Sequence, residues 1–452
     1  MMQERIVILG AGESGVGAAL LAKSKGYDVF VSDFGQIKES YKKDLIDAEI
    51  LFEERGHSDD LMEGASLVIK SPGIPEIAPV VRKAIDADIE VIDELEFAYR
   101  FTSKPIIAIT GSNGKTTTTL LTHHLLKESG VNVALTGNVG FSMARQVIED
   151  KAEVYVVEMS SFQLDAIQTF KPNIGILLNI TPDHLDRYGY SLEKYADSKM
   201  RIAKNMGVEE TLIYNSDDPV THRKVGGLEK GISKASISVL FGETAVGYKK
   251  DNSLVVVSGN ESFEIPENHW PLRGEHNVIN MLAAIVAATK LGISKEDVLK
   301  NLPTFKNAPN RMEYITTING VDFVNDSKAT NVEAVFYALG SYENDIVWIA
   351  GGLDKGNDYN QIKQLVERKV KVLICLGADN KKLFDFFGPI VSNISETRDV
   401  KMAAKMALEY ANNHDVVLLS PACASFDLFE NYARRGELFK EAVLELKKEV
   451  DG

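Results

Sequence analysis

Short apolar runs recur along this chain, each closed by a glycine-rich or polar turn and followed by sequence of helical period. Ile6-Val7-Ile8-Leu9 enters Gly10-Ala11-Gly12-Glu13-Ser14-Gly15 and then a helical stretch to Lys25. A second strand, Asp28 to Ser32, ends at Asp33. Val68-Ile69-Lys70 is followed by Ser71-Pro72-Gly73-Ile74-Pro75, a turn that cannot continue a strand. Glu90-Val91-Ile92-Asp93 reads as the last strand of this unit. Strands that alternate with helices predict a parallel sheet covered on both faces.

The same grammar begins again after Phe97 to Pro105. The strand Ile106 to Ile109 enters Thr110-Gly111-Ser112-Asn113-Gly114-Lys115-Thr116 and a helix carrying Leu121 and Leu125 one turn apart. Val154 to Val157 and Ile174 to Asn179 are further strands, and Ser236 to Phe241 with Leu254 to Ser258 read as an antiparallel insertion. The Ala-rich stretch Asn277 to Leu291 reads as a closing helix. Pro303 to Arg311, with two prolines and two asparagines, reads as a second linker. Four more apolar strands follow at Val321, Ile346, Val372 and Val416. The expected fold is α/β in three domains, 1–97, 98–308 and 309–452, each around a mainly parallel sheet.

The 452 residues carry 50 Lys and Arg against 65 Asp and Glu, a formal charge of -15. That balance argues against wrapping nucleic acid, but anionic small molecules need only local cations and backbone N–H groups. Cys375 and Cys423 form no Cys-x-x-Cys pair, so a zinc or redox motif is not expected. No apolar run approaches the length of a membrane span, and Ile6 to Leu9, which runs straight into a glycine loop, is too short to be expected to serve as a signal peptide. A cytoplasmic protein without membrane insertion is expected.

Gly10-x-Gly12-x-x-Gly15 between a strand and a helix, with Asp33 ending the next strand, has the form of a dinucleotide fingerprint. From the residues alone it suits NAD, another nucleotide diphosphate such as a UDP-sugar, or a tight turn with no ligand. Gly111 to Thr116 has the spacing G-x-x-G-K-T, shorter than a Walker A loop. Its chemistry is the same: N–H groups for phosphate oxygens, Lys115 for charge and the Thr116 hydroxyl for Mg²⁺. Two such loops argue against a simple dehydrogenase and point to two phosphorylated ligands, one of them ATP. Glu158 at a strand end suits Mg²⁺ near the second loop. The stretch Asn179 to Asp186 gathers Asp183, His184 and Asp186 at another strand end. Lys199, by itself, reads as a solvated helix lysine. Three loops of the last domain, Asp326 to Asn331, Gly351 to Lys355 and Ser420 to Asp427, are rich in Lys, Ser and Thr and suit an acidic small molecule.

Together these motifs resemble the Mur ligases of peptidoglycan synthesis over essentially the whole chain. The pointers are Thr110 to Thr116, Thr136-Gly137-Asn138-Val139-Gly140, Val157 to Leu164, Asp326 to Asn331 and Ser420 to Asp427, and they point to the member that adds D-glutamate. The resemblance implies a Rossmann-like UDP-binding domain, a central ATP-binding domain of P-loop type and a Rossmann-like C-terminal domain that binds the amino acid. It implies a cytoplasmic monomer that joins D-glutamate to UDP-MurNAc-L-Ala through an acyl phosphate, using ATP and two Mg²⁺ ions.

The implied roles follow residue by residue. Gly111, Ser112, Asn113, Gly114, Lys115, Thr116 and Thr117 hold the ATP phosphates, and Asn277, Asn280, Arg311 and Asp326 position ATP. Thr116 and Glu158 hold one metal; His184 and Lys199 serve the second, with Lys199 carbamylated. Lys115, Glu158, His184 and Lys199 are thus the catalytic set. Ser14, Asp33, Ser71, Pro72 and Gly73 surround UDP, and Asn138 meets the muramoyl end. His184, Lys328, Thr330, Lys355, Ser425 and Tyr432 receive D-glutamate. The chain departs from the family pattern at Glu13, where an apolar residue is common, and at Phe34-Gly35, where polar or basic residues are. It also departs at Tyr432, where Phe is typical. Closure of the third domain over the second is expected when ATP binds.

Overall fold

The computed structural model describes residues 4–183, 185–228, 231–240, 242–259, 261–272, 274–342 and 344–451. Its chain forms two compact units, Met1–Pro271 with Val278–Phe305, and Leu272–Asn277 with Lys306–Gly452. Among the described residues there are three sheets, two in the first unit and one in the second. No described helix is long and apolar enough to cross a membrane.

The first sheet runs Leu51–Glu54, Asp28–Asp33, Arg5–Leu9, Ala65–Lys70, Glu90–Asp93, all parallel. Ile6, Val7, Ile8 and Leu9 are buried to the last atom or nearly so, as a central strand covered on both faces requires. The second sheet has Ile106–Thr110 third from one edge, between Ile174–Leu177 and Val154–Glu158, with Val133–Gly137 at that edge. Toward the other edge come Thr211–Asn215, Ser233–Ser238, Gly247–Lys250, Ser253–Ser258 and Glu261–Pro266. The antiparallel insertion is therefore displaced from its expected place. Ser233–Ser238 pairs in parallel with Thr211–Asn215, and antiparallel pairing begins only with Gly247–Lys250 against Ser253–Ser258. The helix Pro219–Gly226, between the first two of these strands, supplies the crossover that parallel pairing needs. Phe241 lies outside the described residues.

The two sheets of the first unit share one apolar cluster that runs from Ile8 and Val16 through Leu95 and Phe97 to Met143 and Tyr155. A short helix, Met143–Val147, sits at their junction. A Cβ on Gly17 would lie 1.8 Å from the Ser142 hydroxyl, so only glycine lets the helix Glu13–Ser24 approach this closely. Two carboxylates from the first sheet's helices hold the start of the junction helix. Glu13 accepts from Ser142 N at 3.1 Å and pairs with Arg145 Nε at 3.2 Å. Glu94 accepts from Ala144 N at 2.6 Å. A third, Glu96, accepts from the backbone N–H groups of Gln168, Thr169 and Phe170 and from the Thr169 hydroxyl. Glu13, a departure from the family pattern, is thus a clasp between the two sheets.

The second unit's sheet runs Glu313–Ile318, Val321–Asn325, Val416–Leu419, Ile346–Ala350, Val370–Leu376, Asn393–Thr397. Only the first pair is antiparallel. Alternate residues face two apolar layers: Trp348 packs with Phe387 and Tyr359, while Val347 and Ile349 pack with Phe323 and Phe439. All four expected strands are present. Glu313–Ile318 and Asn393–Thr397 are additional edge strands.

Burial pushes the Glu94 carboxyl up to about 8, aided by the charges of Asp93 and Glu13 and opposed by the Ala144 N–H. Below the ordinary value of 4.5 both folded and unfolded chains hold this proton. Above it the unfolded chain releases the proton first, so stability falls as pH rises from 4.5 to about 8. Glu94→Gln keeps the acceptor for Ala144 N and removes the titration. It is expected to unfold at nearly the same urea concentration as wild type well below pH 4.5 and at a higher one at pH 8. Equal midpoints at pH 8 would count against this reading.

Candidate active site

The loops that leave Ile106–Thr110 and its two neighbours in the second sheet meet at the carboxyl ends of those strands. Ile106–Thr110 ends in Gly111, and Gly114 opens the helix Lys115–Glu128 with φ +84°. A Cβ on Gly114 would stand 2.4 Å from Asn280 Oδ1, so the loop lies directly against the helix Glu275–Lys290. The Thr118 hydroxyl also donates to Asn280 Oδ1. Asn277 is buried one turn earlier on the same helix. The loop is braced on its other side by Asn179, whose amide exchanges hydrogen bonds with Asn113: Asn113 N to Oδ1 at 2.8 Å, and Nδ2 to Asn113 O at 3.2 Å.

Two lysines converge on one backbone oxygen. Lys115 Nζ donates to Gly111 O and Ser112 O, both at 2.7 Å, and Lys199 Nζ donates to Gly111 O at 2.8 Å. Lys199 is 1% exposed, on the helix Leu192–Met200, and stands 4.6 Å from the centre of the Tyr195 ring. Burial, with the neighbouring Lys115 charge, holds its amine well below the ordinary lysine range; Asp183 and Asp165 act against that. The reading of Lys199 as a solvated lysine is therefore corrected. Its helix turns inward because Tyr195, Ala196 and Ser198 form the buried face. The Tyr195 hydroxyl accepts from Ser112 Oγ, which ties that helix to the loop.

Glu158 ends the neighbouring strand and is 2% exposed. Its Oε1 accepts from Asn138 Nδ2 at 3.1 Å, while Oε2 is buried with no hydrogen-bond partner. A Cβ on Gly137 would lie 2.3 Å from Glu158 O, so this approach requires the glycine before Asn138. An unsatisfied buried carboxylate oxygen is costly in the free protein and is suited to a cation. Thr116 and Thr117 are buried in the first turn of the loop's helix. Among the described residues no three His, Cys, Asp or Glu side chains form a metal cage. That composition fits Mg²⁺, which takes one or two carboxylates and completes its shell with phosphate oxygens and water. His184, expected here, lies outside the described residues.

At the carboxyl edge of the first sheet, Gly10 has φ +90°, and a Cβ on Gly15 would fall 1.8 Å from Gly10 O. Asp33 accepts from Ala11 N at 2.6 Å and from Gly35 N at 2.8 Å, which shapes the loop around its carboxylate. Ser71 N donates to Leu9 O, so the Ser71-Pro72-Gly73 turn stands beside the loop. Ser14 is half-buried in the first turn of the helix. A cavity of about 670 Å³ borders this turn, lined by Pro72, Ile74, Phe162, Arg187 and Tyr188.

In the second unit the strand order makes Val321–Asn325, Val416–Leu419 and Ile346–Ala350 neighbours, which brings the three expected loops together. Asp326 accepts from Ser420 Oγ at 2.9 Å and from Met312 N at 3.2 Å, and burial raises its carboxyl to about 7. Arg311, just before this strand pair, acts to lower it. Lys328 Nζ lies 5.1 Å from the Tyr432 ring centre, and Lys355 Nζ 5.9 Å from that of Phe426. Thr330 is exposed and Ser425 buried. The loops are stitched by Arg435, 1% exposed, which donates to Ser327, Gly351 O and Cys423 O.

Arg435, Asn179 and Tyr195 carry this geometry without having been singled out. Tyr195 stands four residues before Lys199, on one helix face, a spacing that could have found it. Asn179 lay within a stretch already noted, but nothing marked Arg435 apart from a solvated helix arginine.

Comparison with known proteins places the chain in a family. Residues 5–80 match the model of the MurD N-terminal domain, 109–288 the Mur ligase middle domain, and 310–423 the Mur ligase glutamate ligase domain. The chain is 48% identical to the UDP-N-acetylmuramoylalanine--D-glutamate ligase of Cytophaga hutchinsonii, across 98% of this chain and 100% of that one. It is also 48% identical to the protein of that name from Porphyromonas gingivalis, across 98% of each. Among solved structures, MurC of Thermotoga maritima shares the fold with a TM-score of 0.62 at 20% identity, covering 99% of this chain and 100% of that one. A pseudomurein peptide ligase type C from Methanothermus fervidus also gives 0.62 at 20% identity, covering 98% and 100%. The chain belongs to the Mur ligase family, the ATP-dependent amide ligases of peptidoglycan synthesis, and within it to the MurD branch.

Proposed function

We propose that the protein joins D-glutamate to UDP-N-acetylmuramoyl-L-alanine through an acyl phosphate, with ATP as phosphoryl donor. The γ-phosphoryl group passes to the substrate carboxylate, and ADP leaves. The amine of D-glutamate attacks the acyl carbon, phosphate departs with the C–O electron pair, and the amine loses a proton. The observation that carries this reading is the convergence of Lys115 and Lys199 on Gly111 O, in the loop that faces Glu158 across the sheet edge. Such a site places the Lys115 charge against the phosphate loop, where it serves a transferring phosphoryl group, and puts the buried Lys199 amine beside it.

In this reading the N–H groups of Gly111 to Thr117 and Lys115 orient the phosphates, with Asn277, Asn280, Arg311 and Asp326 positioning the nucleotide. Thr116 and Glu158 would hold one Mg²⁺, and His184 with a carbamylated Lys199 a second. When bound, Mg²⁺ neutralises charge between phosphate and carboxylate oxygens. Asn138, hydrogen-bonded to Glu158, meets the reacting end of the muramoyl substrate. Ser14, Asp33 and Ser71 to Gly73 hold its diphosphate end. Lys328, Thr330, Lys355, Ser425 and Tyr432 receive D-glutamate, whose two carboxylates suit two lysines. The domain limits 1–97, 98–308 and 309–452 belong to the same proposal.

Phosphate release from ATP is expected only when UDP-MurNAc-L-Ala and D-glutamate are both present, and not with L-glutamate. Release with a different amino acid would keep the chemistry and overturn the assignment of the last three loops. Glu158→Gln is expected to lower kcat by roughly 100-fold and to raise the Mg²⁺ concentration needed for half-maximal rate. An unchanged Mg²⁺ dependence would remove Glu158 from the metal's shell. Lys328→Ala and Lys355→Ala should each raise KM for D-glutamate by about tenfold or more, the worth of one charge-assisted hydrogen bond, and leave KM for ATP alone. A rise in the ATP value instead would place these lysines with the nucleotide.

A further inference from the structure

Lys355 follows Asp354 in the loop after Ile346–Ala350, so a cation suited to an acidic ligand stands beside a fixed anion. Left unbalanced, that carboxylate would cancel much of the lysine's attraction for a dicarboxylate. Yet it builds the loop. Asp354 Oδ1 accepts from Gly356 N at 2.7 Å and from Asn357 N at 3.0 Å, and Oδ2 accepts from the Tyr359 hydroxyl at 2.8 Å. These bonds fold the backbone around Lys355 into a turn. Burial pushes the Asp354 carboxyl up, but Lys382, the Asn357 and Gly356 N–H groups and the Tyr359 hydroxyl outweigh it and hold the group below the ordinary carboxylate range. Asp354 is therefore ionised at neutral pH.

The turn is clamped to the loop that carries Ser425. Leu353 N donates to Ala424 O at 2.8 Å, Ala424 N to Leu353 O at 3.2 Å, and Asn357 Nδ2 to Ala422 O at 3.1 Å. A second lysine answers the Asp354 charge. Lys382, in the first turn of the helix Lys381–Phe387, donates from Nζ to Asp354 Oδ1 at 2.9 Å and to Asn357 O at 2.8 Å. Its Nζ also stands 5.2 Å from the centre of the Tyr359 ring. Lys355 Nζ instead lies 5.9 Å from the Phe426 ring centre and forms no ion pair among the described residues. The Asp354 carboxylate is thus paired with a lysine from another element and not with its own neighbour.

We infer that Lys382 is an electrostatic positioning residue for D-glutamate: it neutralises Asp354, which shapes the loop, and so leaves the Lys355 charge free for the ligand. The inference rests on the proposed binding of D-glutamate at Lys355. The Lys382 side chain is half exposed, and an ion pair of that kind adds little to stability. It does decide the sign of the field that an arriving carboxylate meets. Lys382 touches no ligand in this role; it acts through Asp354 and Lys355.

Phosphate release by the full-length protein, with D-glutamate varied at saturating ATP and UDP-MurNAc-L-Ala and at low ionic strength, tests this. Lys382→Met leaves Asp354 unpaired and is expected to raise KM for D-glutamate about fivefold, with kcat and KM for ATP unchanged. The rise should shrink as salt is added. Lys382→Arg should keep the wild-type value. Asp354→Asn combined with Lys382→Met removes both charges but keeps an acceptor for Gly356 N and Asn357 N, and should return KM close to wild type. A merely structural role for Lys382 would leave the double variant as impaired as the single one. An unchanged KM in Lys382→Met, or a rise that neither salt nor the second substitution reverses, overturns the positioning role and leaves the ligase reading standing. Absence of phosphate release by wild type with D-glutamate overturns both.

Discussion

A strand in a parallel sheet hands its chain onward only at its carboxyl end, so every such loop in a sheet opens on the same edge. In the second sheet this puts the turns after Ile106–Thr110, Val133–Gly137, Val154–Glu158 and Ile174–Leu177 side by side. Residues far apart in the chain then meet: Ser112 with Thr181 and Tyr195, Asn113 with Asn179, Glu158 with Asn138. The same constraint gathers Asp326, Gly351 and Ser420 in the last sheet. Glycine then decides how closely these loops can approach, since Gly111, Gly114 and Gly137 adopt backbone angles that side chains resist.

Ionisable groups withdrawn from water cluster at these edges. Lys199 is held by a carbonyl and a ring, Arg435 by carbonyls and a hydroxyl, and Glu158 keeps an unsatisfied oxygen. None of these has a carboxylate–ammonium hydrogen bond to balance it. An acidic protein carrying -15 overall still places Lys115, Lys328 and Lys355 at the edges where anionic ligands are expected. Buried charge of this kind is costly to stability and is retained where binding uses it.

Much of this was legible in the chain. Apolar runs ending in glycine marked the strands whose carboxyl ends form the sites, because a fully buried strand leaves an unbroken apolar signature. Edge strands were not so marked: Asn393–Thr397 is half solvated, and Glu313–Ile318 breaks its apolar positions with Glu313, Thr316 and Thr317. The direction of Ser233–Ser238 was misjudged because an apolar run has no polarity of its own; the connecting helix decides it. Loop glycines, Lys115 and Glu158 could be named from spacing. Lys199 could not, because nothing local distinguishes a lysine that enters the protein from one that leaves it. Arg435 was invisible for the same reason: its partners are backbone oxygens, and every residue has one.

The clasp formed by Glu13, Glu94 and Glu96 has a geometric consequence. With the junction helix and the 168–170 backbone pinned to the first sheet, the two glycine loops of the first unit cannot drift apart without breaking buried hydrogen bonds. The unit therefore behaves as a ruler. A molecule anchored by its diphosphate at one mark presents its far end to the other mark only if its own length is right. Size selection of this sort needs no pocket wall at the far end, because the distance itself does the sorting.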